Sequence, residues 1–416
     1  LKNACDNNFT YASDIEEEQI VKTGITSQYP QFSPDGKEVA FFEDRSTLRI
    51  VNLKSKAIRT ALDGKYVYSY SDGDIWFEWS PDSKWLLSSY LGNGGWNNQD
   101  IALVKADGKE VHNLTNSGYT DGNGKWVLGG KAMLFESDRA GYRSHGSWGA
   151  EDDAYLMFFD LDAYNRYNMS KEEIEVAEAS KDEKKKIQDE KEEEAQKKAE
   201  EKQKKTGKIE VEKVKPLELG IENCRDHIVR LTANSSRMGD AVLNKEGDKL
   251  YYQAAFEGGF DLWSRDLKDG STKLILKGVG NGGFVADKDV KNLYLCDGWN
   301  IKKVDLGSLA TKPVNFEASF NYKPAEERQY LFDHIWRLVK DKFYDPQLHH
   351  VDWEGYRKTY EKFLPYINNN YDFQEMLSEM LGELNASHTG ARFRPQSQVL
   401  QTANLGVFLD PTYQGD

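Results

Sequence analysis

Short hydrophobic runs of strand length, separated by turn residues, fill the first two thirds of the chain and recur in a fixed frame. Phe32-Ser33-Pro34-Asp35-Gly36-Lys37 precedes the β-branched and aromatic run Glu38 to Phe42, and Trp79-Ser80-Pro81-Asp82-Ser83-Lys84 precedes Trp85 to Tyr90. The same step onward reaches Trp126, where Val127-Leu128-Gly129-Gly130-Lys131 leads into Ala132 to Glu136. The frame returns at Leu243-Asn244-Lys245-Glu246-Gly247-Asp248-Lys249, before Leu250 to Gln253, and more weakly at Val285 to Asp289, before Asn292 to Cys296. Each unit enters a Pro-Asp-Gly-like turn, whose residues fix φ or tolerate positive φ, and leaves it on a hydrophobic strand. Two more strands follow: Leu48 to Leu53 and Ala57 to Leu62 in the first unit, Ile101 to Lys105 and Glu110 to Thr115 in the second. Four strands per unit of about 40 to 50 residues predicts a mainly β chain built as a β-propeller of four-stranded blades. A β-sandwich is the rival, but it would not repeat at blade length. The propeller is expected over residues 1–317 as five blades and a partial one, with residues 9 to 24 supplying the closing strands of a blade begun upstream.

The frame is interrupted once. From Ser170 to Lys215 nearly two thirds of the residues are Lys, Glu or Asp. Pairs such as Glu200 with Lys204 stand in the favourable i, i+4 order, so the segment 170–216 reads as a solvated helix or as disorder. Its apolar residues are too few for a coiled-coil seam. Tyr155 to Leu161 reads as a third strand, and His227 to Thr232 repeats the fourth-strand pattern of Val111 to Thr115. The charged stretch is therefore expected to be an excursion within one blade.

After a polar and aromatic connection from Thr311 to Lys323, punctuated by Pro313 and Pro324, the apolar period changes from 2 to 3.6. A small α-helical subdomain is expected over 324–397. One helix runs from Glu326 to Phe343, with Leu331, Phe332, Ile335, Trp336, Val339 and Phe343 on one side. A second follows Asp352 and carries Trp353, Tyr356, Tyr360 and Phe363. In the third, Phe373, Met376, Leu377, Met380, Leu381 and Leu384 share a face. Asp372 with Glu375 predicts its capping box, and Asn385, tolerant of a left-handed conformation, predicts its stop. His388 then hangs from the end of a fixed element beside Ser387. An imidazole titrates near neutral pH, which suits a general base. A lone histidine after a helix is more commonly a cap or a surface residue, so residue type alone leaves both roles open. Asn404 to Leu409 reads as the opening strand of a PDZ-like module over 398–416.

The segment from Pro324 to Arg394, with Phe343-Tyr344-Asp345-Pro346, Val351-Asp352-Trp353, Met380-Leu381-Gly382-Glu383-Leu384 and Ser387-His388-Thr389, resembles the first catalytic-core subdomain of tricorn-type serine peptidases, relatives of the tail-specific proteases. The turns and Ser137-Asp138-Arg139-Ala140-Gly141 are similar to blades of TolB-like and tricorn-type propellers. The resemblance implies that His388 is a general base and that Ser387 is the orienting hydroxyl of a catalytic tetrad. It places the nucleophilic serine and the oxyanion donors in a second core subdomain outside residues 1–416. It also implies a larger ring of blades and a homo-oligomer. Gly390 departs from the family pattern, in which an aromatic residue is common there.

Charge and cysteine content narrow the function classes. Lys and Arg total 55 against 69 Asp and Glu, a formal charge of −14, which argues against nucleic acid or an anionic membrane as partner. No run is long and apolar enough to span a membrane. At 416 residues more than one core is expected. The chain opens at Leu1 rather than Met and closes at Gly415-Asp416 inside a new element, so both ends read as cut. A targeting signal upstream would go unseen, and a periplasmic and a cytoplasmic location both stay open. Cys5, Cys224 and Cys296 are widely spaced, His349-His350 lies in a loop, and no ligand spacing is present, so no metal and no cofactor are expected. The expected partner is a peptide or protein substrate, hydrolysed by nucleophilic acyl transfer with the propeller guiding or filtering it. The alternatives are a TolB-like binding or scaffolding module and, more weakly, a propeller glycosidase using paired carboxylates.

Overall fold

The computed structural model describes residues 2–3, 15–143, 149–176 and 215–394, apart from 72, 94, 96, 171, 175, 299 and 318. Most of the charged stretch and all of the expected PDZ-like strand lie outside the described residues. The chain divides into two units, Leu1–Phe316 and Glu317–Asp416.

The first unit contains five four-stranded antiparallel sheets, each formed by strands consecutive along the chain, as blades of a β-propeller. Their strands are Ser27–Phe32, Glu38–Glu43, Thr47–Asn52 and Ile58–Leu62; then Phe77–Trp79, Trp85–Tyr90, Asp100–Lys105 and Val111–Asn113; then Asp121–Val127, Ala132–Ser137, Asp153–Phe158 and Ile228–Arg230; then Arg237–Leu243, Lys249–Ala255, Asp261–Asp266 and Thr272–Leu276; and last Phe284–Ala286, Asn292–Asp297, Asn300–Asp305 and Thr311–Pro313.

The recurring turn is held by its own side chains. Ser33 Oγ donates to Asp35 Oδ1 (2.7 Å) and accepts from Glu38 N (3.0 Å). Ser80 repeats both contacts with Asp82 Oδ1 (2.6 Å) and Trp85 N (2.9 Å). In the fourth sheet Asn244 Oδ1 accepts from Asp248 N and Lys249 N. A side chain that satisfies turn amides in this way fixes the register of the hairpin that follows.

Strand alternation then sorts the core. Ala40 and Phe42 pack with Phe77, Trp79 and Leu86 of the second sheet. Leu87, Ile101 and Leu103 meet Met133, Phe135 and Tyr155 of the third, Leu134 and Leu156 meet Leu243 and Tyr252 of the fourth, and Tyr251 and Leu262 meet Leu293 and Leu295 of the fifth. The second strands of the first four sheets are thus buried on both sides, which is why they read as nearly continuous apolar runs, whereas that of the fifth buries only Leu293 and Leu295. On its other side the first sheet packs Val39, Phe41 and Val51 beneath Ile20 and Val21.

Side chains also stitch each first strand to the next. Gln31 Nε2 donates to Phe77 O and Trp79 Nε1 to Gln31 O, and Glu78 Oε2 accepts from Trp126 N. Lys125 Nζ binds both Asp240 and Ala241 O, and Asp240 Oδ2 accepts from Phe284 N.

Four expectations are corrected. Thr311–Pro313 is the fourth strand of the fifth sheet, paired with Lys302 to Val304, and not a connection. Proline is tolerated there because the strand is at the sheet edge. The third strand of the third sheet stops at Phe158, because Asp160 accepts from Ala163 N and caps the short helix α1 (Leu161–Tyr167). Gln19 to Lys22 joins no ladder; Lys2–Asn3 pairs instead with Ile15–Glu16. Phe363 falls beyond the helix expected to carry it and is exposed, as is Leu331.

The second unit is built on α2 (Pro324–Lys342), α3 (Trp353–Glu361) and α4 (Asn370–Gly382). Pro324 occupies the first turn of α2, where its missing N–H costs nothing. Asp352 caps α3 by accepting from Gly355 N. Phe332, Trp353, Tyr360, Phe373, Met376, Leu377, Met380, Leu381 and Leu384 form the core. Trp336 and Trp353 donate indole N–H groups to each other's carbonyls at 3.1 Å, locking α2 to α3.

Candidate active site

The site is built on the C-terminal end of α4. The helix starts earlier than a cap at Asp372 would allow. Asn369 is extended (φ −137°, ψ 163°) and its Oδ1 accepts from Tyr371 N and Asp372 N, while its Nδ2 donates to Asp372 Oδ2 at 2.7 Å. Asp372 is therefore the acidic residue of the first turn, where it complements the helix dipole, and Asn369 is the cap.

The six apolar positions predicted for this helix face, from Phe373 to Leu384, are all buried. The chain then reverses at Asn385, whose φ of 47° is left-handed as expected. Asn385 N donates to Gly382 O (2.9 Å), closing the last turn. Ser387 and His388 follow on an exposed turn, and His388 is itself left-handed at φ 62°. Among the described residues neither side chain makes a hydrogen bond, so the imidazole is presented rather than consumed as a cap. Gly390 has φ 153°, which L side chains rarely adopt, so an aromatic residue there would need a different backbone.

The loop is held at both ends. At its exit, Ser378 of α4 clamps Ala391: Ser378 Oγ accepts from Ala391 N (3.0 Å) and donates to Ala391 O (3.1 Å). Within it, Thr389 Oγ1 donates to Ala386 O (3.0 Å). At its entry, His349 Nδ1 lies 2.9 Å from Leu384 O. A carbonyl only accepts, so Nδ1 carries the proton. The other ring nitrogen, Nε2, then accepts from Tyr344 OH. Glu383 in the same turn accepts from Tyr360 OH at 2.9 Å, tying α3 to this end of α4. Burial, aided by that carboxylate, pushes the Tyr360 hydroxyl up to about 12.

Ser387 and His388 are thus adjacent on one braced turn. His349, Tyr344 and Ser378 were missed, since nothing in the spacing joins residue 349 to 384 or 378 to 391. The Asp345 side chain, accepting from Gln347 N and His349 N, is the one local sign that the 345–349 loop is ordered. Cys224 and Cys296 are free thiols. Among the described residues no helix is long and apolar enough to cross a membrane.

Residues 324–382 match the family model described as the tricorn protease C1 domain. A tricorn protease homolog of Saccharolobus solfataricus is 21% identical over 398 residues, 90% of this chain and 33% of the relative. A shorter match, 32% identical over 66 residues, joins 16% of the chain to 6% of tricorn protease homolog 1 of Streptomyces coelicolor. Among solved structures, the tricorn protease superposes with a TM-score of 0.59 at 13% identity, over 88% of this chain and 33% of that one. Of the relatives matched along most of its length, the chain spans only 33% to 38%. In both of its parts, a propeller of four-stranded blades and a helical C1 segment, the chain is similar to tricorn-type proteases.

Proposed function

We propose that the protein is a serine-type peptidase in which His388 is the general base and Ser387 orients it. The nucleophilic serine and the oxyanion donors come from outside residues 1–416. The observation that carries this reading is the match of residues 324–382 to the tricorn C1 domain, which ends at the foot of the braced loop bearing Ser387 and His388. In the reaction, the His388 imidazole takes the proton of a serine hydroxyl as its oxygen attacks the scissile carbonyl. The same proton then goes to the departing amine. A base that moves protons in both directions must hold one position through both steps, which a loop fixed at Leu384 and Ala391 supports. Peptides or proteins are the substrates, and the propeller guides or filters them.

The test is His388→Ala in the complete protein. The expected result is a fall in kcat by a factor on the order of 10³ or more with the unfolding midpoint unchanged. An active but destabilised variant would overturn the assignment, because it would make His388 a cap.

A further inference from the structure

His349 lies 35 residues before Leu384, yet its ring is seated on the carbonyl of Leu384, in the turn that directly follows α4. Leu384 lies two residues beyond Gly382, where the helical hydrogen-bond ladder has ended, and the left-handed Asn385 turns the chain away from its carbonyl. His349 Nδ1–H supplies the donor that Leu384 O would otherwise lack. The loop around it is strained: Leu348, His349 and His350 have φ of 52°, 54° and 61°, three consecutive non-glycine residues in the left-handed region. Asp345 holds that conformation by accepting from His349 N at 2.9 Å. Phe343 and Tyr344 face the imidazole edge-on, with ring centroids 5.1 and 5.2 Å away.

We infer that His349 is the positioning residue of the Ser387-His388 loop, acting through the Leu384 carbonyl, with the Tyr344 hydroxyl holding its ring in the Nδ1–H tautomer. The inference rests on the reading of His388 as the general base. Loss of the Nδ1–H donor frees the turn that follows α4 to shift, and small displacements of a base cost rate steeply. Loss of the Tyr344 hydroxyl lets the proton move to Nε2, which turns an Nδ1 lone pair toward the Leu384 oxygen.

Asparagine and aspartate separate the donor from the backbone. Both are short and tolerate a left-handed φ, but only the asparagine Nδ2–H can replace the imidazole Nδ1–H. In the complete protein, at a temperature where circular dichroism shows each variant folded, His349→Asp is expected to lower kcat by about tenfold or more, with KM changed by no more than about twofold. His349→Asn is expected to stay within about threefold of the parent, and Tyr344→Phe to lose about two- to fivefold. An His349→Asp enzyme with parental kcat, or an His349→Asn enzyme no better than it, would overturn the inference. Should His349→Asp not fold, parental turnover in Tyr344→Phe would overturn it equally. His388→Ala is run alongside. If that variant is inactive while His349→Asp is not, His349 loses its role and His388 keeps its own. If His388→Ala stays active, the reading of the base falls and this inference falls with it.

Discussion

Ser378 Oγ both accepts from the amide of Ala391 and donates to its carbonyl, at 3.0 and 3.1 Å, so one hydroxyl in the middle of α4 fixes the segment that leaves the Ser387-His388 loop. Ala391 packs against the helical core at the same point. Ser378→Ala removes these two hydrogen bonds and a third from Gln374 Nε2 (3.3 Å), and leaves two backbone groups to find other partners. The expected cost is about 1 to 2 kcal/mol of stability. Urea unfolding of the helical unit reads it, and an unchanged midpoint would show that the clamp contributes nothing.

Ser387 and His388 should respond differently. Ser387→Ala in the complete protein is expected to lower kcat by about tenfold to a thousandfold, less than His388→Ala, since an orienting hydroxyl is not attacked. Both are exposed, so neither substitution should move the unfolding midpoint by more than about 0.5 kcal/mol. The chain of 416 residues by itself is expected to hydrolyse no peptide. Turnover of a peptide library by the purified chain, lost in His388→Ala, would mean that a nucleophile lies within it.

The propeller should lose stability as pH rises toward neutral. Burial pushes the Glu78 and Glu136 carboxyls from 4.5 up to about 7, with the Asp240 charge adding to Glu136. Burial, with Asp138 and Asp153 beside it, raises Asp152 to about 7 as well. These groups hold their protons more tightly folded than unfolded. Their contribution is therefore fully present below about pH 4 and is lost as pH rises through 7. Glu136→Gln should flatten this dependence and stabilise the protein at pH 8 by on the order of 1 kcal/mol. Denaturation midpoints at pH 5 and pH 8 check it; parallel curves for parent and variant would refute it.

The charged excursion should be dispensable. Strands Asp153–Phe158 and Ile228–Arg230 pair directly in one sheet on either side of it. The return path is not dispensable: Leu217 N donates to Asp82 Oδ2, and Leu219 and Ile221 pack against the core of the second and third sheets. Replacing residues 171–214 by a short Gly/Ser linker should leave a single cooperative thermal transition, because closing a longer or shorter surface loop costs little. Loss of cooperativity would place the segment in the core.

Strand content, blade repeat and helix faces were written in the chain because they are set by neighbours at fixed short spacings. A Ser or Asn that clamps its own turn, as at Ser33, Ser80 and Asn244, leaves a signature within six residues, and alternation then decides which side of each strand is buried. The helical stripe from Phe373 to Leu384 and the reversal at Asn385 are local in the same sense. Boundaries were less legible where two local signals compete, as at Asn369 and Asp372, both good caps, or at Pro313, which reads as a break until its strand is known to lie at an edge. Only the tertiary structure decided what joins distant positions: Lys125 with Asp240 across two sheets, Ser378 with Ala391, and above all His349 with Leu384. Those contacts depend on how rigid elements pack, and packing selects partners by shape and by unsatisfied backbone groups that no spacing in the sequence records.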